Sequence, residues 1–232
     1  IMLKISFLLT LFLTLNFSQK NIHERWDKQL KKFVSETGKV NYNSWKNSIY
    51  DVESYLEALK DHPPQEFWPK NDIMAYWINA YNVLTVQLIL QNYPLKSIKD
   101  LKDPWGRKVI EIEGKSYSLG DIEHEVLRKM NEPRIHFAIN CASVSCPKLL
   151  NEAFNSLKLE QQLNRLTCDF LSDKSKNQLN SKKTMLSKIF MWYVKDFGSF
   201  NDRVDFFKKY GDDTINKETS FRYLPYNWNL NE

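Results

Sequence analysis

Glycine and proline are scarce in this chain, 6 and 8 among 232 residues, which excludes a collagen-like or Pro/Gly-rich low-complexity polymer. No repeat of fixed period stands out either. Cysteine is scarcer still, at three, so the chain is not a small scaffold held by many disulfides and must rely on a packed core. The N-terminal apolar run, Ile5 to Leu15, is shorter than the roughly 18 to 20 residues that a membrane-spanning helix needs. Charge of one sign is also missing: 33 basic residues face 28 acidic ones, a net charge of +5. The two signs are interleaved, and without a basic stripe no nucleic-acid partner is expected.

Aromatic residues are plentiful, with 14 Phe, 11 Tyr and 7 Trp, enough to fill the core of one domain over residues 19–232. The start of the chain reads differently. Lys4 precedes an apolar stretch from Ile5 to Leu15, and Ser18 is a small residue suited to cleavage, so residues 1–18 have the form of a secretory signal peptide. The expectation is an exported protein, periplasmic or extracellular, with no stable membrane span once the signal is removed. Its cysteines would then meet an oxidising compartment.

Trp26, Leu30, Phe33 and Val34 recur at helical spacing and predict a first helix over 22–34, stopped near Gly38. Val52, Tyr55, Leu56 and Leu59 predict a second, ending at Asp61-His62-Pro63-Pro64. The longest helix signal runs from Asp72 to Asn92, with Asn71 as its cap. It is apolar on nearly every side, which predicts burial. Two amides, Asn79 and Asn82, sit on this helix, and buried amides need partners because an unpaired one costs about 1–3 kcal/mol. They either tie down backbone or line a pocket. Glu113-Gly114 marks a hairpin between 108–112 and 115–119, and Ser118 with Asp121 has capping-box spacing. Further helices are expected around Leu159 to Phe170, after Ser187, and after Asn201, before an extended aromatic tail from Phe221 to Asn231.

The chemistry-bearing residues concentrate between Pro133 and Lys148. From Arg134 to Asn140 the apolar residues Ile135, Phe137 and Ile139 alternate with Arg134, His136, Ala138 and Asn140, which predicts a strand leading into a loop that carries Cys141 and Cys146. The fold class expected is α+β, a mainly helical single domain packed around a small β-sheet that includes 134–140, with the helix from Trp77 to Leu90 packed across it.

Several stretches together resemble the domain-of-unknown-function family numbered 547: Gly38 to Tyr42, Trp77 to Asn82, Leu119 to His124, Arg134 to Cys141, Ser145-Cys146-Pro147, Leu186 to Phe190, Trp192-Tyr193, Asp196-Phe197 and Tyr226-Asn227-Trp228. The chain carries Asn41 where that family usually has Asp, Ala142 where Gly is usual, and Asn227 where Asp is common. The resemblance implies a set of positions and no reaction. Relatives fused to glutaredoxin-type domains associate the family with thiol chemistry.

Three functional readings use the same atoms. In the first, a thiol-dependent hydrolase or transferase uses Cys141 or Cys146 as nucleophile and His124 or His136 as base, with Glu123, Asn79, Asn82 or Asn140 orienting the base. On a strand His136 and Cys141 would face opposite ways, so His124 is the favoured base. Tyr81, Asn79, Asn82, Asn140 and Arg134 would line the substrate site, for a small molecule or peptide. In the second, Cys141 and Cys146 form a disulfide that staples a binding module. The third is a metal site of His124, His136, Cys141 and Cys146, although their spacing fits no usual zinc pattern. Nothing in the sequence calls for a cofactor.

Overall fold

Helix α4, Lys70–Asn92, has no polar face, and the structure gives it none to expose: from Met74 to Leu90 only Gln87 is more than sparingly exposed. This computed structural model describes residues 22–232; the signal peptide expected over residues 1–18 lies outside them. By length and composition α4 could cross a membrane, but 89% of its most apolar stretch is buried inside the protein. It begins two residues earlier than the sequence suggests. Pro69 stands at its N-cap and Asn71 lies within the first turn, because proline's fixed φ suits a helix start and its missing N–H is not needed there.

Helix α1 (Glu24–Phe33) packs on the one-turn α2 (Tyr42–Trp45) and α3 (Ile49–Asp61), and these two pack on α4. Trp26, Phe33, Trp45 and Tyr55 stack between them. The hairpin of β1 (Lys108–Ile112) and β2 (Lys115–Ser118) forms as expected, its turn made by Glu113 and Gly114, both at positive φ. Ser118 and Asp121 make the reciprocal capping box at the start of α5 (Leu119–Asp121). The chain then widens into a π-helical stretch, Ile122–Leu127.

Beyond it come α6 (Leu159–Ser172), β3 (Lys183–Leu186), α7 (Ile189–Trp192), α8 (Phe200–Tyr210) and β4 (Ser220–Tyr223). Helix α8 is capped by Ser199 with Asp202 rather than by Asn201. The segment before α7 carries Lys188 at the N-cap, with Ser187 Oγ accepting from the Ile189 N–H. Strands β3 and β4 pair in parallel as a second two-stranded sheet. Mainly helical α+β architecture is thus what the chain adopts, with two small sheets rather than one.

One expectation fails. Residues 134–140 are not a strand and belong to neither sheet; Pro133–Phe137 is a 3₁₀ turn. Pro133 presets the first helical φ, and the Glu132 carboxylate accepts the Arg134 N–H at 3.1 Å, so the local chemistry starts a turn. The alternation misleads because both of its sets are buried, from Arg134 through Asn140. Ile135 and Phe137 enter the core, where Phe137 meets Phe170, Phe190 and Phe197, while Arg134, His136 and Asn140 each have hydrogen-bond partners of their own.

Candidate functional site

Some of those polar contacts fold the loop that carries the cysteines. Asn82 on α4 donates from Nδ2 to the Ala138 carbonyl at 2.9 Å and accepts the Asn140 N–H at 2.8 Å. Asn140 in turn donates to the Pro147 carbonyl (2.6 Å) and accepts the Ala142 N–H (2.8 Å), closing the loop from 141 to 146 upon itself. Ala142 is held at φ 57, a left-handed conformation that costs a residue with a Cβ about 1–2 kcal/mol. With the backbone turned in this way, Cys141 and Cys146 face each other.

Their sulfurs lie 3.0 Å apart, and the Cys141 N–H donates to Cys146 Sγ at 3.0 Å. Both are free thiols, so the disulfide expected from the sequence is not formed. The pair titrates as a unit. The Cys141 thiol is lowered from 9.0 to about 7, chiefly by the hydrogen bond from Cys146, against burial, with help from Ser143 and Tyr226; the Glu123 charge acts the other way. Burial and the neighbouring Cys141 charge push Cys146 well above the ordinary thiol range. One proton is therefore held between two sulfurs, with the negative charge placed on Cys141 when the first proton leaves.

Cys141 and Cys146 line a cavity of about 340 Å³ together with Tyr81, Glu123, His124 and His136. Aromatic rings supply most of the remaining wall: Trp105, Trp192, Tyr193, Tyr226 and Trp228. Tyr226 and Trp228 come from the C-terminal tail, which docks on the cysteine loop through Val144 N–H to the Asn229 carbonyl (2.8 Å) and Asn227 N–H to Ser145 Oγ (2.8 Å).

The two histidines are held differently. His136 is buried and stacks on Tyr193 with ring centres 4.0 Å apart. Its Nε2 bonds Asp196 Oδ2 at 2.8 Å, and the same carboxylate takes a two-pronged contact from Arg128, at 2.6 and 2.7 Å. Burial works to raise the Asp196 carboxyl pKa, but the hydrogen bonds from Arg128 and His136 outweigh it and hold the group well below the usual carboxylate range. An ionised carboxylate only accepts, so Nε2 carries the ring hydrogen, and Nδ1, which has no partner among the described residues, keeps its lone pair when the ring is neutral. His124 sits exposed on the π-helical stretch, and its Nδ1 accepts from Arg128 Nη1 at 3.1 Å because a guanidinium can only donate.

Asp196→Asn should therefore weaken the fold by about 2 kcal/mol, since it takes charge-assisted hydrogen bonds from both Arg128 and His136. The folded pKa is depressed, so the wild-type contribution is full above about pH 4, the unfolded value, and is lost as pH falls toward the folded one. Chemical denaturation at pH 7 and below pH 4 checks this, with the gap between wild type and variant narrowing in acid.

Of the residues singled out from the sequence, the fold brings Tyr81, Glu123, His124, His136, Cys141 and Cys146 to one cavity and leaves four outside its lining. Asn79 bonds both ways with the backbone of Phe154, and Asn82 and Asn140 hold the loop. Arg134 is clamped by Glu132, Glu160 and Asn164. Those amides tie down backbone; neither they nor Glu123 orient a histidine. Asp196 does, sixty residues from His136 in sequence. Its signal was its place beside Phe197 among the family-like stretches, as Tyr226 and Trp228 were part of another. No histidine bonds either sulfur among the described residues, and no group of three or more His, Cys, Asp or Glu side chains there is arranged to hold a metal ion, so the four-residue metal site does not assemble.

The cleft defines a thiol- and histidine-bearing site in a mainly helical α+β fold. A family model described as "Protein of unknown function, DUF547" matches residues 65–171, the same family the sequence motifs resemble. The matched stretch includes Glu123, His124, His136 and both cleft cysteines, while Asp196, Tyr226 and Trp228 lie beyond it. Comparison with curated proteins and with solved structures gives no match.

Proposed function

We propose that the cleft is the active site of a thiol-dependent hydrolase or transferase acting on a small molecule or peptide, with Cys141 as nucleophile and His136, positioned by Asp196, as the group that moves protons. The observation that carries this reading is one cavity lined both by a thiol whose ionisation is favoured near neutral pH and by a histidine with a fixed tautomer and an unengaged Nδ1. In the first half-reaction Cys141 sulfur bonds the acyl carbon, the bond to the leaving group breaks, and the thiol proton departs with that group. In the second, water or another acceptor attacks the thioester; His136 Nδ1 takes its proton and returns it to the sulfur as the carbon–sulfur bond breaks.

Alkylation with iodoacetamide at pH 7, followed residue by residue by mass spectrometry, tests the nucleophile, with the exposed Cys168 as internal reference. Cys141 should react several-fold faster than Cys168. Equal or slower labelling of Cys141 would remove the reading. His136→Ala should leave this labelling intact, because no histidine stabilises the thiolate, and should instead slow turnover of an activated acyl ester.

The sulfur separation of 3.0 Å favours a second reading, in which oxidation closes Cys141 and Cys146 into a disulfide that staples a binding module. Export, proposed from residues 1–18, would supply the oxidising compartment. Counting free thiols on protein unfolded without reductant separates the two states: three per chain supports the nucleophile, one supports the staple.

A further inference from the structure

Glu123 is out of place on ordinary packing grounds. It is 5% exposed, in a cavity walled by aromatic rings, and its Oε1 has no hydrogen-bond partner among the described residues. Oε2 takes a long contact from the Tyr81 hydroxyl, at 3.4 Å. Burial, then the Glu123 charge and a side-chain hydrogen bond to that carboxylate, push the ionisation of the Tyr193 hydroxyl up, so tyrosine hydroxyls are the donors Glu123 has. Arg128 is the cation near by, and its guanidinium is already engaged with Asp196 and His124. Neither Lys nor Arg lines the cavity. A buried carboxylate without a cation or a full set of donors is costly, and it persists where a ligand completes it.

The aromatic part of the lining points to the same complement. Trp192 and Trp228 stack 5.8 Å apart, Tyr226 lies 4.8 and 4.6 Å from them, and Trp105 meets Trp228 edge-on at 5.8 Å. Such faces attract cations, and the protein itself lays the Lys99 ammonium 5.2 Å from the Trp228 ring centre. We propose that the cleft binds an organic ammonium group, paired with the Glu123 carboxylate and seated against the Trp105, Trp192 and Trp228 rings. This names the substrate class for the site of the preceding reading: an acyl compound or acceptor that carries an amine, either a free small amine or a lysine side chain in a peptide. A cavity of about 340 Å³ suits a group of that size, at the lower end of small-molecule pockets, which span roughly 300–1,000 Å³.

Titration of the intact protein with n-butylammonium, tetramethylammonium and the neutral isostere n-butanol, read by tryptophan fluorescence and by protection of Cys141 from iodoacetamide, tests the proposal. The ammonium probes should bind at least tenfold more tightly than n-butanol, and Glu123→Gln should abolish that difference. Equal binding of charged and neutral probes to the wild type would overturn it whether or not the variant folds, as would an undiminished preference in a folded Glu123→Gln protein. An N-acetyl-lysine methylamide arm distinguishes the sources: tighter binding than n-butylammonium assigns the amine to a polypeptide, weaker binding to a small metabolite. Cys141 labelling without any probe reads the nucleophile separately, so failure of the thiol reading and failure of ammonium binding give different results.

Discussion

Asn82→Ala is expected to destabilise the protein by about 4 kcal/mol. Asn82 is 2% exposed and serves two backbone groups at once, the Ala138 carbonyl and the Asn140 N–H. Truncation leaves both buried and unpaired, at about 1–3 kcal/mol each, and adds a small void. For a chain of this size each kcal/mol moves the melting temperature by about 2–4 °C, so a fall on the order of 10 °C should appear by calorimetry. Asn92→Ala is the matched control. Asn92 closes the same helix but makes one contact, to the Leu88 carbonyl one turn back, from an exposed position, and its loss should stay within about 0.5 kcal/mol. Because Asn82 fixes the residues on either side of Ile139, the variant should also loosen the loop that sets the two sulfurs together. Similar melting of the two variants would show that the loop does not depend on this amide.

The same residue shows how far the sequence reaches. Apolar side chains on every face of 72–92 make its burial legible, and an amide within such a run makes a buried hydrogen bond legible, but its partner at 138–140 comes from fifty-eight residues away. Local signals held where the chemistry is local: Glu113-Gly114 turned the hairpin, and Ser118 with Asp121 capped α5. The alternation over 134–140 does not encode a strand, because it marks one only when one face meets solvent, and here both sets of side chains are buried. The parallel pairing of β3 with β4 joins segments with two helices, α7 and α8, between them, which no periodicity encodes. For the site, the cysteines, Glu123 and the histidines stood out by type in apolar surroundings. Asp196 did not, because an acid between Lys195 and Phe197 looks like any other until His136 is folded against it.

Cys146→Ala should change the pH profile of Cys141 more than any histidine substitution. The hydrogen bond from Cys146 is the largest cause of the lowered Cys141 pKa, ahead of those from Ser143 and Tyr226, and burial and Glu123 oppose it. Without that donor, Cys141 moves from about 7 back toward the ordinary 9.0. At pH 7 its thiolate fraction then falls about 50-fold, from near half to near one per cent. The less stabilised thiolate is the better nucleophile, by about eightfold over two pKa units at a Brønsted slope of roughly 0.4–0.5, so alkylation at pH 7 should slow about sixfold in net terms. Above about pH 8 the order reverses, since the variant's more nucleophilic thiolate then outweighs its smaller ionised fraction. Glu123→Gln should shift the profile the other way, because removing a neighbouring negative charge favours the thiolate. Profiles of wild type and Cys146→Ala that superimpose from pH 6 to pH 10 would mean that the two sulfurs do not share a proton, and the charge on Cys141 would then have to come from another donor in the cleft.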